Sequence, residues 1–368
     1  MTERPATSRA LVLSAPRALE LRDLAVPEAS PDSALLEVEA CGLCGTDHEL
    51  FTGRLPIRMP LVPGHETVGV LVEVGDAAAE AWGASVGDRV AVECFQSCRT
   101  CDPCRSGAYR RCTTNGLRTA YGLSPLDVGP ELSGGWAVHH VLGPDSMVLP
   151  IPDGLDPVDA TLFNPVGAGI RWGAELPGTG PGDVVAVLGP GIRGLAAAAA
   201  AREAGADFVV VTGKGPNDRP RLEAATAFGA DLTVDVDEED PVAALRAATG
   251  GPGADVVVDV TANAPDALGQ AVRMSAPEAR IVLAGTRNST ETPGFDPDHI
   301  VYKELRLMGA LGVDAPAYRA ALDLLATDRY PFRSVARRVE PLEGAADLLA
   351  TMAGEGDAPP PIHAVLVP

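Results

Sequence analysis

Positive charge is scarce in this sequence of 368 residues. Only two lysines occur, Lys214 and Lys303, and 50 acidic residues outnumber 29 basic ones, which gives a formal net charge of −21 at pH 7. A surface with this balance repels phosphate backbones. We therefore expect no nucleic-acid partner.

Long apolar runs are also missing. No run approaches the ~18 residues that a transmembrane helix requires, so no membrane association is expected. The opening segment Met1–Arg9 is polar and lacks the apolar stretch of a signal peptide, which favours a cytoplasmic location. With 46% hydrophobic and 21% charged residues, the chain has the composition of a globular protein, and its length suits two domains.

The cysteine content does not fit a disulfide framework. The count is seven, which is odd, and no secretory signal is visible, so clustered thiols indicate metal binding or catalysis instead. All of them lie in the first third of the chain, at positions 41, 44, 94, 98, 101, 104 and 112.

Four of these thiols form the sharpest local motif, Cys98-x2-Cys101-x2-Cys104-x7-Cys112. Thiolates spaced this closely can share one tetrahedral zinc ion with no open coordination position, as structural zinc sites do. The spacing alone also allows an iron–sulfur cluster or a set of unpaired surface thiols. We predict structural zinc in a lobe that covers about residues 94–113.

A second group of potential ligands lies earlier in the chain. Cys44 and His65 supply a thiolate and an imidazole, and Glu66 adds a carboxylate beside them. Asp47 could fix the imidazole tautomer, and the Thr46 hydroxyl could relay a proton, as a catalytic zinc site requires. Taken alone, one Cys and one His 21 residues apart are a weak signal, and they favour a buried thiol and a capped histidine.

From about residue 182 the sequence alternates short apolar runs with helical patterns. The run Val184–Leu188 is followed by the alanine-rich stretch Ile192–Ala204, which predicts a parallel sheet covered by helices. The glycines between them allow a tight turn and a close approach to a pyrophosphate at the helix N-terminus. A glycine-rich turn without a cofactor is the alternative. The turn reads Gly189-Pro190-Gly191-Ile192-Arg193-Gly194.

The next apolar run ends in Thr212 and Gly213, where an NAD site usually carries an acid for the ribose hydroxyls. Lys214 and Arg219 follow, and they could bind a 2′-phosphate in the gap that a glycine leaves. We therefore expect NADP to be preferred over NAD. The alternative is that these cations merely solvate a loop.

In this order, the motifs resemble the zinc-containing medium-chain alcohol dehydrogenase family. The resemblance implies a GroES-like β-rich catalytic domain, residues 1–165 and 312–368, and a doubly wound Rossmann cofactor domain, residues 166–311. It also implies a homodimer or homotetramer, with the apolar runs 281–284 and 301–311 contributing. The implied catalytic residues are Cys44, Thr46, Asp47, His65 and Glu66, with structural zinc on Cys98, Cys101, Cys104 and Cys112. The implied cofactor contacts are Gly189, Gly191, Ile192, Arg193, Gly194, Thr212, Gly213, Lys214, Arg219 and Ala284.

Two positions depart from the family pattern. One is the outer proton relay: some members carry a histidine five residues after the ligand cysteine, whereas that position here is Glu49, and His48 lies four residues after Cys44, so that either could exchange protons with solvent.

The other is the third catalytic zinc ligand. The third catalytic ligand is a Cys, or a Glu in a Glu-Pro pair, whereas the matching residue here is Asn164, followed by Pro165. A neutral amide oxygen is a poorer zinc ligand than a carboxylate. Asn164 thus remains a candidate ligand, while Glu66 or water could complete the shell, or the metal could bind weakly.

The expected reaction is hydride transfer between a small alcohol, or its carbonyl product, and the cofactor. Two alternatives keep the fold: an aldehyde dismutase that retains its cofactor, and a zinc-free NADPH reductase of activated double bonds. A non-enzymatic NADP-sensing protein is a third, which the intact set of inner residues disfavours.

Overall fold

The computed structural model describes residues 4–28, 30–287, 290–355 and 358–368. These residues form two compact units. The first comprises Met1–Phe163, Asp314–Thr327 and Phe332–Pro368, and the second comprises Asn164–Val313 and Asp328–Pro331. Among the residues that the structure describes, none of the helices has the length and hydropathy of a membrane span.

The regular structure in the first part of the chain consists mainly of strands. Short 3-10 helices cover Tyr109–Arg111 and Gly116–Arg118. The strands and α-helices are β1 (Thr7–Ala15), β2 (Ala18–Ala25), β3 (Ala34–Leu43), α1 (Gly45–Phe51), β4 (Glu66–Val74), α2 (Asp76–Trp82), β5 (Arg89–Val92), α3 (Asp102–Arg105), β6 (His139–Leu142), β7 (Val148–Pro150) and α4 (Pro157–Ala160). In β3, β4 and β5 most residues are buried.

The middle of the chain alternates strands and helices, as the sequence predicts. A π-helical turn at Arg171–Glu175 extends its first helix. The elements are α5 (Phe163–Ile170), β8 (Val184–Leu188), α6 (Ile192–Glu203), β9 (Phe208–Gly213), α7 (Arg219–Ala225), β10 (Leu232–Asp235), α8 (Pro241–Thr249), β11 (Ala254–Asp259), α9 (Ala267–Met274), β12 (Ser275–Leu283), α10 (Asp298–Tyr302) and β13 (Arg306–Gly309).

The last part of the chain returns to the first unit. Its elements are α11 (Ala315–Ala326), β14 (Arg337–Pro341), α12 (Ala345–Met352) and β15 (His363–Val367). Strand β15 pairs with β3, so the seven-stranded sheet of the first unit contains strands from both ends of the chain. Its order is β14-β15-β3-β4-β5-β7, and β6 also pairs with β3.

The second unit contains a six-stranded, entirely parallel sheet in the order β10-β9-β8-β11-β12-β13. Counted from β8, this is the 3-2-1-4-5-6 order of a doubly wound dinucleotide-binding fold. The order reverses between β8 and β11, and ligands of such sheets bind at the carboxyl ends of the strands at this point. The glycine-rich turn follows β8 there.

Helix α6 packs unusually closely on its neighbour. Its run Leu195–Ala201 is buried, and a Cβ at Gly169 of α5 would overlap the backbone of Ala196. A Cβ at Gly173 would lie 2.6 Å from the carbonyl oxygen of Ala197. Small side chains on both helices thus let their backbones touch.

The segment Asp328–Pro331 belongs to the second unit, although the sequence predicts it in the first. Tyr330 explains this placement. Its ring stacks on Phe228 with the centroids 6.5 Å apart, and its hydroxyl donates to Glu203 at 2.9 Å.

A buried carboxyl group connects the cysteine-rich lobe to the rest of the first unit. Glu93 follows β5, and its Oε2 accepts a hydrogen bond from the Tyr109 hydroxyl at 2.6 Å. Its Oε1 accepts from the backbone N–H of Phe95 at 3.0 Å. Burial raises the pKa of Glu93 to about 7, although these hydrogen bonds act in the opposite direction. The Tyr109 hydroxyl also accepts from the backbone N–H of Ala315 at 2.6 Å, at the start of α11.

The substitution Glu93→Gln tests this burial. A carboxyl group whose pKa rises on folding contributes stability at low pH, and that contribution is lost as pH rises from about 4.5 to about 7. Glutamine does not titrate. The difference in unfolding free energy, variant minus native chain, should therefore rise by about 2 to 3 kcal/mol when the pH is raised from 5 to 8. Urea unfolding of both proteins at both pH values measures this. Other titrating groups are shared, so a difference that does not change with pH would contradict the assignment.

Candidate metal centre and cofactor site

Cys44 is the N-cap residue of α1. Its Sγ accepts a hydrogen bond from the backbone N–H of Thr46 at 3.3 Å, and its own N–H donates to Oδ2 of Asp47 at 2.8 Å. The Gly-Thr-Asp sequence after the cysteine thus forms a capping box that fixes the thiol.

His65 lies between Cys44 and Asp47. Its Nε2 is 3.4 Å from the Cys44 Sγ, and its Nδ1 is 3.4 Å from Oδ1 of Asp47. Burial opposes protonation of the ring, but the charges of Asp47 and Cys44 outweigh this effect and raise the pKa of His65 well above its ordinary value. The surroundings of the ring therefore attract positive charge.

Glu66 completes a three-donor cluster. The Cys44 sulfur, a ring nitrogen of His65 and a carboxylate oxygen of Glu66 all lie within 4.8 Å of one another, and all three residues are buried. Glu66 begins β4, opposite Gly42 of β3, and a Cβ at Gly42 would overlap its Oε2. One sulfur, one nitrogen and one oxygen donor fit a zinc ion that keeps a coordination position open.

The four clustered cysteines also converge. Their sulfur atoms lie within 4.8 Å of one another, and Cys98 and Cys104 are 3.8 Å apart. Hydrogen bonds from the Thr100 hydroxyl and from the backbone N–H groups of Cys101 and Thr100 lower the pKa of Cys98 to about 5. Burial raises that of Cys104 to about 11. Four sulfur ligands fill all the coordination positions of a tetrahedral zinc ion, as in structural zinc sites.

The glycine-rich turn follows the reversal point of the parallel sheet. A Cβ at Gly194 would overlap the carbonyl oxygen of Gly189, so the third glycine of the motif is required by packing. Gly189 has a φ of +101°, and Gly191 faces open space. Ile192 begins α6, and no side chain within the described residues caps this helix end. A helix N-terminus without a side-chain cap, beside open space, fits a bound phosphate.

Two further strand ends adjoin this turn. Thr261 follows β11, and its Cγ2 is 3.1 Å from an ideal Cβ on Gly189. Ala284 follows β12, and its N–H donates to the carbonyl of Asp259 at 3.0 Å. The buried Asp259 carboxylate accepts from the Thr261 hydroxyl at 2.6 Å and pairs with Arg287.

The end of β9 differs from the open gap that the sequence predicts. An ideal Cβ on Gly213 would lie 2.8 Å from Pro190 and 3.0 Å from Asp218, so the space beside this glycine is filled. Thr212 is buried, and its hydroxyl accepts from Gln270 at 3.4 Å. The structure therefore directs the Thr212 hydroxyl towards α9 instead of towards the basic loop.

The two basic residues of that loop are exposed and paired. Lys214 Nζ lies 3.7 Å from Asp237, and Arg219 donates to Glu238 at 2.7 Å. Asn164, in the second unit, accepts a hydrogen bond from Arg193 at 3.1 Å.

Comparison with known proteins identifies the family. The alcohol dehydrogenase GroES-like domain matches residues 30–153, and the zinc-binding dehydrogenase domain matches residues 194–327. A Mycobacterium tuberculosis protein named probable alcohol dehydrogenase is 61% identical over 364 residues, which are 99% of each chain. The chain belongs to the zinc-containing medium-chain alcohol dehydrogenase family. The predicted GroES-like and Rossmann folds and the predicted zinc-dependent alcohol oxidoreductase class are thereby confirmed.

Two further similar proteins have NADP in their descriptions. A zinc-binding dehydrogenase from Sinorhizobium meliloti, solved bound to NADP, has a TM-score of 0.83 and 29% identity, with 99% of this chain and 100% of that chain covered. An NADP-dependent alcohol dehydrogenase of Mycolicibacterium smegmatis is 36% identical over 188 residues, which are 48% of this chain and 50% of its own.

Several residues of the site carry no sequence signal. Gly42 makes room for Glu66 only because β3 and β4 pair in one register. Gln270, Thr261 and Arg287 reach the sheet end from elements that are distant in sequence. Asp259 is the exception, because an acidic residue at the end of the apolar run of β11 is visible in the sequence.

The substitution Gly42→Ala should remove one of two expected zinc ions. The added methyl group would displace the Glu66 carboxylate from the cluster, which leaves two donors. Metal analysis of the purified protein checks this, with Gly45→Ala as the matched control because no atom lies within 4 Å of its ideal Cβ. Full zinc content in Gly42→Ala would argue that Glu66 is not a ligand.

Proposed function

We propose that the chain interconverts an alcohol and its carbonyl product, with zinc on Cys44, His65 and Glu66 and with NADP as the preferred cofactor. The observation that carries this proposal is the convergence of the three donor atoms within 4.8 Å. Zinc held there would act as a Lewis acid on the substrate oxygen, and the nicotinamide would exchange the hydride.

The residues around the cluster have separate tasks. Asp47 faces Nδ1 of His65 and keeps Nε2 available as a donor atom, which is how a carboxylate behind a ligating imidazole acts. Thr46 is half-buried beside Cys44, and its Oγ1 takes the proton that the alcohol loses. His48, on the same helix, lies 3.2 Å from Glu355 and passes the proton towards solvent, a task for which Glu49 is the alternative.

The four clustered cysteines bind a second, structural zinc ion, which holds a lobe of few apolar residues. All seven cysteines are free thiols, and such clusters persist in a reducing compartment such as the cytoplasm. A zinc-free reductase or a sensing protein would have no use for the buried cluster of Cys44, His65 and Glu66. No observation on the described residues specifically favours an aldehyde dismutase.

The substitution Thr46→Val tests the catalytic assignment. Valine keeps the shape of threonine and removes the hydroxyl, so hydride transfer should slow by about 10²- to 10⁴-fold while zinc content stays constant. Single-turnover rates with deuterated and ordinary alcohols measure this step. Thr46→Ser, which keeps the hydroxyl, is the control. A native rate in the valine variant, with a full isotope effect, would exclude Thr46 from proton transfer.

The preference for NADP is supported by the basic loop after β9. Lys214 and Arg219 pair with Asp237 and Glu238, but all four side chains are at least half exposed. Exposed ion pairs contribute little, so a 2′-phosphate dianion can displace these partners. The S. meliloti relative bound to NADP has the same fold, which agrees with this choice.

Removing these cations tests the preference. Arg219→Ala and Lys214→Ala should each raise KM for NADP by about tenfold and leave KM for NAD unchanged, because a charge-assisted hydrogen bond to the phosphate is lost. The control for the change in net charge is Arg246→Ala, which removes an exposed cation from α8. A substitution at Gly213 is unsuitable because its Cβ would collide with Pro190. A native enzyme that prefers NAD tenfold would overturn the proposal.

We also propose a homodimer or homotetramer. Val301 and Tyr302 are 72% and 78% exposed, and Leu307 lies on β13, which pairs only with β12 among the described strands. An open strand edge with exposed apolar side chains is suited to pairing with a second copy. The run 281–284 cannot contribute as expected, because Ile281 and Val282 of β12 are buried.

Introducing charge at this edge should dissociate the oligomer. The double substitution Tyr302→Glu and Leu307→Glu places like charges opposite each other in a symmetric interface. Light scattering after size exclusion should then report monomers, whereas Val86→Glu, at a site that is 62% exposed in the first unit, should stay assembled. A monomeric native protein at working concentration would refute the proposed assembly.

A further inference from the structure

Asn164 occupies the position of a family zinc ligand, yet its amide oxygen is engaged elsewhere. The oxygen accepts a hydrogen bond from the Arg193 guanidinium at 3.1 Å, and Asn164 is buried. Asn164 lies in the first turn of α5 and Arg193 in the first turn of α6. The contact therefore joins the starts of two neighbouring helices.

The two helices are in close backbone contact. Gly169 and Gly173 let the backbone of α5 and its π-helical extension touch Ala196 and Ala197 of α6. Such backbone contact leaves no room for sliding, because any displacement would create overlap or a void. The main chains that carry Asn164 and Arg193 are thus held in contact, with Asn164 buried and Arg193 half-buried.

The guanidinium makes this oxygen a poor zinc ligand. A zinc ion on the amide oxygen would lie about 2 Å from it, with the Arg193 nitrogen 3.1 Å from the same atom. Two cations would then share one neutral acceptor. A carboxylate could compensate both charges, but an amide cannot.

Arg193 itself lies where a cofactor phosphate is expected. It is the one cation in the turn from Gly189 to Gly194, and it follows the N-cap Gly191, which faces open space. A chain with a net charge of −21 repels an anionic dinucleotide at long range, so a cation at the phosphate site has a strong local effect. The planar guanidinium fork matches phosphate oxygens.

We propose that Asn164 is a positioning residue for Arg193, whose guanidinium binds the cofactor pyrophosphate, and that Asn164 does not bind zinc. This inference rests on the proposed dinucleotide function. It assigns the departure from the family's ligand pattern to cofactor binding.

Equilibrium binding of ADP-ribose and of adenosine, together with zinc analysis, tests the proposal without any turnover. Arg193→Ala and Asn164→Ala should each weaken ADP-ribose binding about tenfold or more. Adenosine, which carries no phosphate, should bind as it does to the native chain. The double variant should be no weaker than Arg193→Ala, since Asn164 acts through Arg193. Zinc content should remain two ions per chain throughout.

Arg246→Ala is the control for loss of one positive charge, and Arg193→Gln replaces the alanine variant if that variant does not fold. Loss of one zinc ion from Asn164→Ala with native ADP-ribose affinity would overturn the proposal and make Asn164 a metal ligand. Native affinity in Arg193→Ala and Arg193→Gln would also overturn it. If the native chain itself binds no ADP-ribose, the dinucleotide function fails as well, and this result is distinct from the other two.

Discussion

Close backbone approach is the constraint on which both candidate sites depend. In the first unit, Gly42 leaves the space that the Glu66 carboxylate fills, and only this space lets three donor atoms converge. In the second unit, Gly194 lies against the carbonyl of Gly189, and the turn opens towards solvent at Gly191. Because these glycines have no side chains, they leave the space in which the carboxylate of Glu66 and a bound phosphate can lie. Larger residues would separate the donors or close the turn.

The motifs that sequence alone could predict are those whose residues are close along the chain. The spacing of Cys98, Cys101, Cys104 and Cys112 limits them to one small loop, and the turn Gly189–Gly194 lies between one strand and one helix. Both predictions of local structure agree with the geometry. The parallel order of the second sheet also followed from the alternation of apolar runs and helices.

The spacing of residues along the chain could not predict which strands pair or in which register. Cys44 and His65 are 21 residues apart, and they meet because β3 and β4 are antiparallel neighbours; the family resemblance, not the spacing, pointed to this. The packing of Pro190 on Gly213 and the hydrogen bond from Arg193 to Asn164 depend on how separate helices and turns dock. A sequence shows which side chains are present, but not which partner has already engaged them.

The hydroxyl of Tyr109 has a consequence for synthesis of the chain. It donates to Glu93 within the cysteine-rich part of the molecule and accepts from Ala315, 206 residues further along. At about 5 to 20 residues per second, a ribosome needs roughly 10 to 40 s to reach that position after Tyr109 has been added. The hydrogen bond from Tyr109 to Glu93 can therefore form well before the one from Ala315 to Tyr109, because translation supplies the two partners at different times.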